Sequence, residues 1–135
     1  MATYNKFQPF VLAVAEGKHN LSTGQLRVAL CAAANAPTAG NATLSQLTTI
    51  STANLDTTAV ATASSSQTSG TYSLVTTDLT MTATGAVPTF RYVVIYNDTA
   101  TNDDLICWFD YGSDVTLASG ETFTIDFGAN LFTLA

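Results

Sequence analysis

His19 is the only histidine in the chain, so a Ser-His-Asp or Cys-His catalytic site could be built only around this residue. Nothing in the sequence places an activated nucleophile and an orienting carboxylate beside it. Cys31 and Cys107 form no CxxC pair, and each lies in an apolar run typical of a buried, reduced thiol. The glycine turns at 112–114 and 128–130 lack the spacing of a phosphate-binding loop. We therefore predict no catalytic residue, no cofactor and no metal site, and hence a protein that is not an enzyme.

Oxygen-bearing side chains concentrate in the segment Asp98–Asp104, called the acidic loop below, with Asn102 and Asp103 between its ends. Such side chains are the ligands that calcium prefers. The loop lacks the full spacing of a calcium-binding loop, and Asn and Asp also favour hairpin connections because their side chains bond the nearby backbone. We favour the hairpin connection, and calcium binding by this loop stays an open alternative at this point.

Trp108, Phe109 and Tyr111 could form an aromatic platform for a sugar ring. Side chains alternate across a strand, so Trp108 points to the face opposite Phe109 and Tyr111. At least part of this group therefore belongs to the core. A carbohydrate-binding module is an alternative function of a different class, with Trp108, Tyr111 and the acidic loop as its candidate residues.

Charge is scarce and unevenly distributed along the 135 residues, which carry a formal net charge of −6. All four basic residues precede Tyr92, whereas most acidic residues follow it. This acidic C-terminal third would repel a phosphate backbone, so we predict no nucleic-acid partner. No apolar run approaches the ~20 residues that a membrane-spanning helix needs, so we predict no membrane partner. The length favours a single domain over residues 1–135.

Several apolar runs predict the elements that must position these side chains. Phe90–Thr99 has large apolar residues on both alternation phases before it ends in a polar turn, which is typical of a strand buried on both faces. Leu105–Gly112 and Thr122–Gly128 follow after short loops, and Gln25–Cys31 alternates as a half-buried strand should. We expect six to eight strands, mainly antiparallel, because the connections are too short for crossover helices. The predicted fold is an all-β sandwich or a jelly-roll-like barrel with one short N-terminal helix.

The N-terminal segment, residues 1–17, contains the one good helix candidate, Lys6–Glu16, with Asn5 as its cap and Gly17 as its stop. Its apolar positions recur at helical spacing: Phe7, Phe10, Val11 and Val14. A helix this short needs a packing surface. We predict that these four residues make contacts between subunits, and that deleting residues 2–16 impairs assembly more than it impairs the fold.

The polar segment 51–73 consists almost entirely of Ser, Thr, Ala, Asn and Gly. Neither flank is long enough to form a separate core, so it does not divide two domains. We expect a long arm, a loop or an edge-strand pair that orders fully in an assembly. The preceding stretch, Thr43–Ile50, is ambiguous between extended and helical structure, with helix or irregular structure slightly favoured.

Several motifs stand in an order that resembles a family of small virion structural proteins of tailed bacteriophages. The motifs are Tyr4-Asn5-Lys6-Phe7, His19-Asn20-Leu21, Gln67–Tyr72, Phe90–Asp98, Trp108–Gly112 and Gly120–Phe123. The resemblance covers nearly the whole chain and is weakest between Ala32 and Asp56. Its motifs are structural rather than catalytic, so no functional residue is carried over.

The resemblance implies a non-enzymatic particle component made in the host bacterial cytoplasm. The role we favour is a capsid decoration or cement protein on the capsid exterior, binding the major capsid protein and copies of itself as a homotrimer or homodimer. A head–tail connector or tail component is the alternative within the same class. The carbohydrate-binding module, exposed on the virion, is the alternative of another class.

Overall fold

The computed structural model describes residues 2–135 and consists mainly of β-strands. The strands are β1 (Thr3–Lys6), β2 (Leu26–Cys31), β3 (Ala59–Val60), β4 (Thr62–Thr68), β5 (Thr71–Thr76), β6 (Leu79–Thr82), β7 (Val87–Asn97), β8 (Leu105–Leu117), β9 (Thr122–Ile125) and β10 (Phe132–Leu134). Within the described residues the only α-helix is α1 (Pro9–Ala15), and it is too short to cross a membrane. Every strand pairing is antiparallel, which confirms the predicted all-β fold with one short helix.

The largest sheet has five strands in the order β1-β8-β7-β2-β3. Its centre is β7, the strand predicted from the apolar run, which pairs with β2 on one side and β8 on the other. Phe90, Val94 and Ile95 of β7 are fully buried, as a strand covered on both faces requires. β2 departs from the half-buried prediction, because Ala29 and Cys31 on its second face are buried as well.

Two smaller sheets complete the fold, one with the order β10-β5-β4 and one formed by β6 and β9. One continuous cluster of buried side chains joins all three sheets, including Val93 of the large sheet, Leu74 and Phe132 of the second, and Met81 and Ile125 of the third. The long connection between β2 and β3 adds cover from Leu44, Leu47 and Ile50. It has short 3₁₀ turns at Ala33–Asn35 and Leu44–Gln46 and is otherwise irregular.

The N-terminal segment differs from the prediction, because the helix begins later than Lys6. Asn5 and Lys6 lie in β1 and pair with Trp108 and Cys107 of β8. Backbone hydrogen bonds to an existing sheet edge stabilise this strand, whereas a helix of this length gains little by itself. The helix ends as predicted at Gly17, whose φ of 74° and whose bond to the Val14 carbonyl form a Schellman motif with the Lys18 to Ala13 bond.

The polar segment 51–73 is ordered and contains β3, β4 and the start of β5. β4 and β5 form a hairpin, and β4 is the outer strand of its sheet. The segment is thus extended from Ala59 onward, with β4 as an edge strand, whereas residues 51–58 are irregular. Its Ser-rich strand is held by pairing with β5, which carries the buried Leu74.

Candidate assembly surfaces

His19 belongs to a buried hydrogen-bond network rather than to a catalytic arrangement. Its Nδ1 lies 3.0 Å from Nδ2 of Asn97, a residue only 1% exposed. The Oδ1 of Asn97 accepts bonds from the backbone N–H and the hydroxyl of Thr99, so the Asn97 amide donates to His19. His19 is therefore the neutral tautomer with its proton on Nε2, and this nitrogen is buried without a hydrogen-bond partner.

The electrostatics of His19 favour the neutral ring. Burial lowers its pKa below the ordinary value, Lys18 lowers it further, and the carboxylate of Asp104 opposes this effect. His19 bonds Asn97 rather than a serine or a carboxylate. The hydroxyl of Ser65 bonds the hydroxyl of Tyr72 at 2.9 Å. The network joins the 19–25 loop to the end of β7, which is a structural role.

The two cysteines are free and fully buried. Burial raises the pKa of Cys31 to about 11 and also raises the pKa of Cys107. Both thiols are therefore protonated at neutral pH, and a protonated thiol is a poor nucleophile and metal ligand.

The acidic loop forms a hairpin connection between β7 and β8, as the sequence favoured. Asp98 pairs with Arg27 at 2.8 Å, whereas Asp104 is buried and its backbone bonds Asn97. Backbone bonds from Ala100 to Asn97 and from Asp103 to Ala100 define its turns. Within residues 2–135 no three His, Cys, Asp or Glu side chains converge in a way that could hold a metal ion.

The sheet separates Trp108 from Phe109 and Tyr111, the other two aromatic residues of the predicted sugar platform. Trp108 is 9% exposed and packs on Phe7, with ring centroids 4.5 Å apart, so it belongs to the core. Tyr111 is 44% exposed and meets Phe123 edge-on at 5.4 Å. A groove of about 420 Å³, the aromatic groove, lies there. Its lining includes Phe109, Tyr111, Phe123, Asp126 and Phe127.

Phe123 and Phe127 line the groove, although nothing in the sequence around Tyr111 indicates them. They come from β9 and the turn after it, more than ten residues beyond Tyr111, and only the packing of the β6–β9 sheet beside β8 brings them together. No local spacing could have indicated this contact.

The four predicted contact residues of the N-terminal segment fall into two groups. Phe7 and Phe10 are 0% and 1% exposed, and Phe10 packs edge-on against Phe132 at 5.2 Å. These two rings are part of the core of one chain and offer no surface to a second copy, which corrects their predicted placement. The cause is β1, whose pairing with β8 draws the residues after it into the core. Val14 is half-buried, and Val11 is 53% exposed.

An exposed aliphatic pair remains on α1, because Leu12, next to Val11, is 59% exposed. Val11 and Val14 lie three residues apart and therefore on the same side of the helix. Val14 also lines a cleft of about 440 Å³ together with Leu21, Ser65 and Tyr72. The cleft thus lies between α1 and the β4–β5 hairpin, the two segments from which sequence analysis predicted contacts. We call Val11, Leu12, Val14 and β4 the assembly face.

Both arginines of the large sheet form ion pairs. Arg91 forms a two-pronged ion pair with Asp110, with N–O distances of 2.8 and 3.2 Å, and this bond lowers the pKa of Asp110. Arg27 pairs with Asp98. The assembly face carries no charged side chain of its own.

No family model matches this chain, and searches of curated proteins and of solved structures give no match either.

Proposed function

We propose that this protein is a non-enzymatic structural component of a tailed-bacteriophage virion, and that it decorates the exterior of the capsid as a cement protein. The observation that carries the proposal is the assembly face, which combines two exposed aliphatic side chains of α1 with an uncharged edge strand, and in which Val14 of α1 and Ser65 of β4 line one cleft. Apolar and hydroxyl side chains are far less costly to bury against a partner than charges are. The sequence resemblance to phage virion proteins supports the same assignment.

Its mechanism is passive clamping of the capsid lattice. Many copies bind the assembled lattice and not its dissociated subunits, so the bound state stabilises the lattice by mass action. The partners are the major capsid protein and other copies of this chain, as a homodimer or homotrimer. A rigid core shared by three sheets suits this role, because little conformational entropy is lost when the surface docks.

The decisive experiment adds the purified protein to undecorated capsid shells and measures binding and shell melting. We expect saturable binding and a higher melting temperature of the shells. Leu12→Asp should weaken both effects, because it places a charge on the assembly face. Tyr111→Asp is the matched control, since the aromatic groove shares no lining residue with the cleft. The proposal fails if the wild-type protein neither binds nor shifts the melting.

A head–tail connector or tail component would use the same assembly face at far fewer positions on the particle. Electron cryo-microscopy of the virion distinguishes the two roles by copy number, since a decoration protein covers the whole lattice. Density confined to the neck or tail would replace decoration with this alternative.

A carbohydrate-binding module is the second candidate, and the exposed ring of Tyr111 beside Asp126 in the aromatic groove favours it. Sugar rings stack on exposed aromatic faces while carboxylates accept bonds from their hydroxyls. This candidate predicts glycan binding that Tyr111→Ala abolishes while the fold survives. Trp108→Ala should instead destabilise the protein by about 3–5 kcal/mol, because its ring is buried against Phe7. Glycan arrays that show no binding would remove the candidate.

A further inference from the structure

The outer edge of β4 is an exposed row of backbone groups with none of the usual protection. β4 is the last strand of its sheet, and all its residues except Thr62 are exposed. Edge strands are commonly guarded by charged side chains, proline or strong bulges, because an open edge is a template for another strand. β4 has the sequence TASSSQT, without charge or proline, and its single irregularity lies at its start, between Thr62 and Ser64.

The hairpin turn determines which backbone groups face outward. Ser69 and Gly70 both have positive φ, 51° and 83°, as in a two-residue type I′ turn. In such a hairpin the flanking pair, here Thr68 and Thr71, is hydrogen-bonded, and the pattern alternates along the strands. The N–H and C=O of Ser65 and Gln67 therefore point away from β5 and are free to pair with another strand.

The sequence of β4 is nearly symmetric about Ser65. In an antiparallel pairing of β4 with itself about this residue, Ser65 faces Ser65, Ser64 faces Ser66, and Thr62 faces Thr68. Ser65 is also a residue whose backbone groups point outward, so this register forms hydrogen bonds at the two-fold axis. Cross-strand pairs of Thr and Ser stabilise antiparallel sheets.

We propose that β4 pairs antiparallel with β4 of a second copy about Ser65, joining two three-stranded sheets into one six-stranded sheet across a two-fold axis. The inference rests on the proposed role in assembly and specifies its self-contact as dimeric. The distribution of charge favours a second copy as the partner of β4. Each copy has a net charge of −6, yet no residue from Thr57 to Thr77 is charged. Two like-charged copies meet with least repulsion through such a segment.

The dimer is weak in solution, because one strand pair buries less surface than a stable interface requires. A lattice that holds many copies raises their effective concentration and lets the same contact form readily. Self-association of the full chain is therefore measured by sedimentation equilibrium from about 1 µM to about 1 mM, the range that covers weak dissociation constants.

Charge reversal across the two-fold axis tests the register. Ser64 and Ser66 are exposed and lie on the face opposite the buried Leu74, so substitutions there leave the core intact. Ser64→Lys with Ser66→Lys places lysine opposite lysine twice and should weaken the dimer at least tenfold. Ser64→Glu with Ser66→Lys, the matched control, places glutamate opposite lysine twice and should restore dimerisation. Circular dichroism checks that both variants are folded.

Ser65→Pro is the second test if the double-lysine variant is misfolded. Proline removes an N–H that β5 does not use, so it should abolish the dimer while the hairpin persists. A wild-type chain that is monomeric at about 1 mM, a trimer, or a dimer equally strong in both charge variants would each overturn the proposal. If wild-type protein stabilises shells but stays monomeric, the self-pairing fails and the decoration role stands. If the wild-type protein dimerises through β4 but does not bind shells, the decoration role fails instead.

Discussion

Asn97 holds together three parts of the chain that have little else in common. Its amide bonds His19 on one side and Thr99 on the other, and the Thr99 hydroxyl accepts the backbone N–H of Gln25. Strand β2 therefore begins, and strand β7 ends, at positions set by one buried side chain. A sequence pattern of asparagine followed by Asp and Thr is typical of a turn and does not reveal this role.

We expect Asn97→Leu to lower the free energy of unfolding by about 1–3 kcal/mol, because a leucine of similar size leaves the part-buried polar groups of His19 and Thr99 without their shared partner. Urea denaturation measures the loss. Asn102→Leu is the control: this residue is exposed at the tip of the acidic loop and should change stability by less than about 0.5 kcal/mol. Equal effects of the two substitutions would show that the network contributes nothing.

The same network makes stability depend on pH. The pKa of His19 in the folded chain lies below its unfolded value of about 6.5, because burial disfavours the charged ring. At low pH the unfolded chain binds the extra proton more readily than the folded chain does. The stabilising contribution is therefore complete above about pH 6.5 and is lost as the pH falls below this value and through the lower pKa of His19 in the folded chain.

Urea denaturation of the wild type and of His19→Gln at pH 8 and pH 5.5 measures this difference. The wild type should lose more stability than the variant between the two conditions. Lys18 and Asp104 are present in both proteins, so their own effects cancel. A parallel loss in both proteins would contradict the expectation.

At the scale of elements, the sequence was most informative where apolar residues dominate. Phe90–Ile95 predicts a doubly covered strand, and β7 is one. It was least informative for β1, because Thr3–Lys6 has no apolar alternation and becomes a strand only by pairing with β8. The Ser-rich β4 resembles a linker for the same reason. Long-range pairing with β8 forms β1, and hairpin pairing with β5 forms β4, so neither strand depends on an apolar pattern of its own.

This difference changes what the N-terminal segment is expected to do. The helical spacing groups Val11, which is exposed, with Phe7 and Phe10, which are core residues. It also overlooks Leu12, whose exposure depends on how α1 sits on the sheets. Of the candidate assembly surface, the segments were predictable from the sequence and the individual residues were not.

Deleting residues 2–16 should therefore unfold the domain rather than impair assembly alone, since it removes β1 and two buried phenylalanine rings. Burial of each ring contributes about 3–5 kcal/mol, comparable with the whole stability of a small domain. The double variant Val11→Ser with Leu12→Ser should instead keep its melting temperature within a few degrees and lose shell binding. Thermal denaturation and shell sedimentation measure the two effects. A deletion variant that remains folded would contradict this view of the segment.

At the scale of the whole molecule, the distribution of charge sets how copies approach one another. Arg27 and Arg91 are already paired with Asp98 and Asp110, so the excess of negative charge is spread over the remaining surface. The polar hairpin β4–β5 has no charged side chain, so its edge is a neutral part of this negatively charged surface. An interface held by ion pairs weakens as the salt concentration rises. Salt should instead favour pairing of two copies through β4, because it screens the long-range repulsion between them and leaves the uncharged short-range contact largely unchanged.

Raising the salt concentration should therefore strengthen self-association. The Debye length shrinks from about 30 Å at 0.01 M to about 8 Å at 0.15 M, which screens the repulsion between two copies of charge −6. Neutral backbone bonds at the β4 edge are affected little by the same change. Sedimentation equilibrium at the two salt concentrations should give a lower dissociation constant at 0.15 M. The double-lysine variant at 64 and 66 should remain monomeric in both, since its like charges lie within a few ångströms of each other in the dimer. A wild-type dimer that dissociates as salt rises would mean that ion pairs, and not the uncharged strand, join the copies.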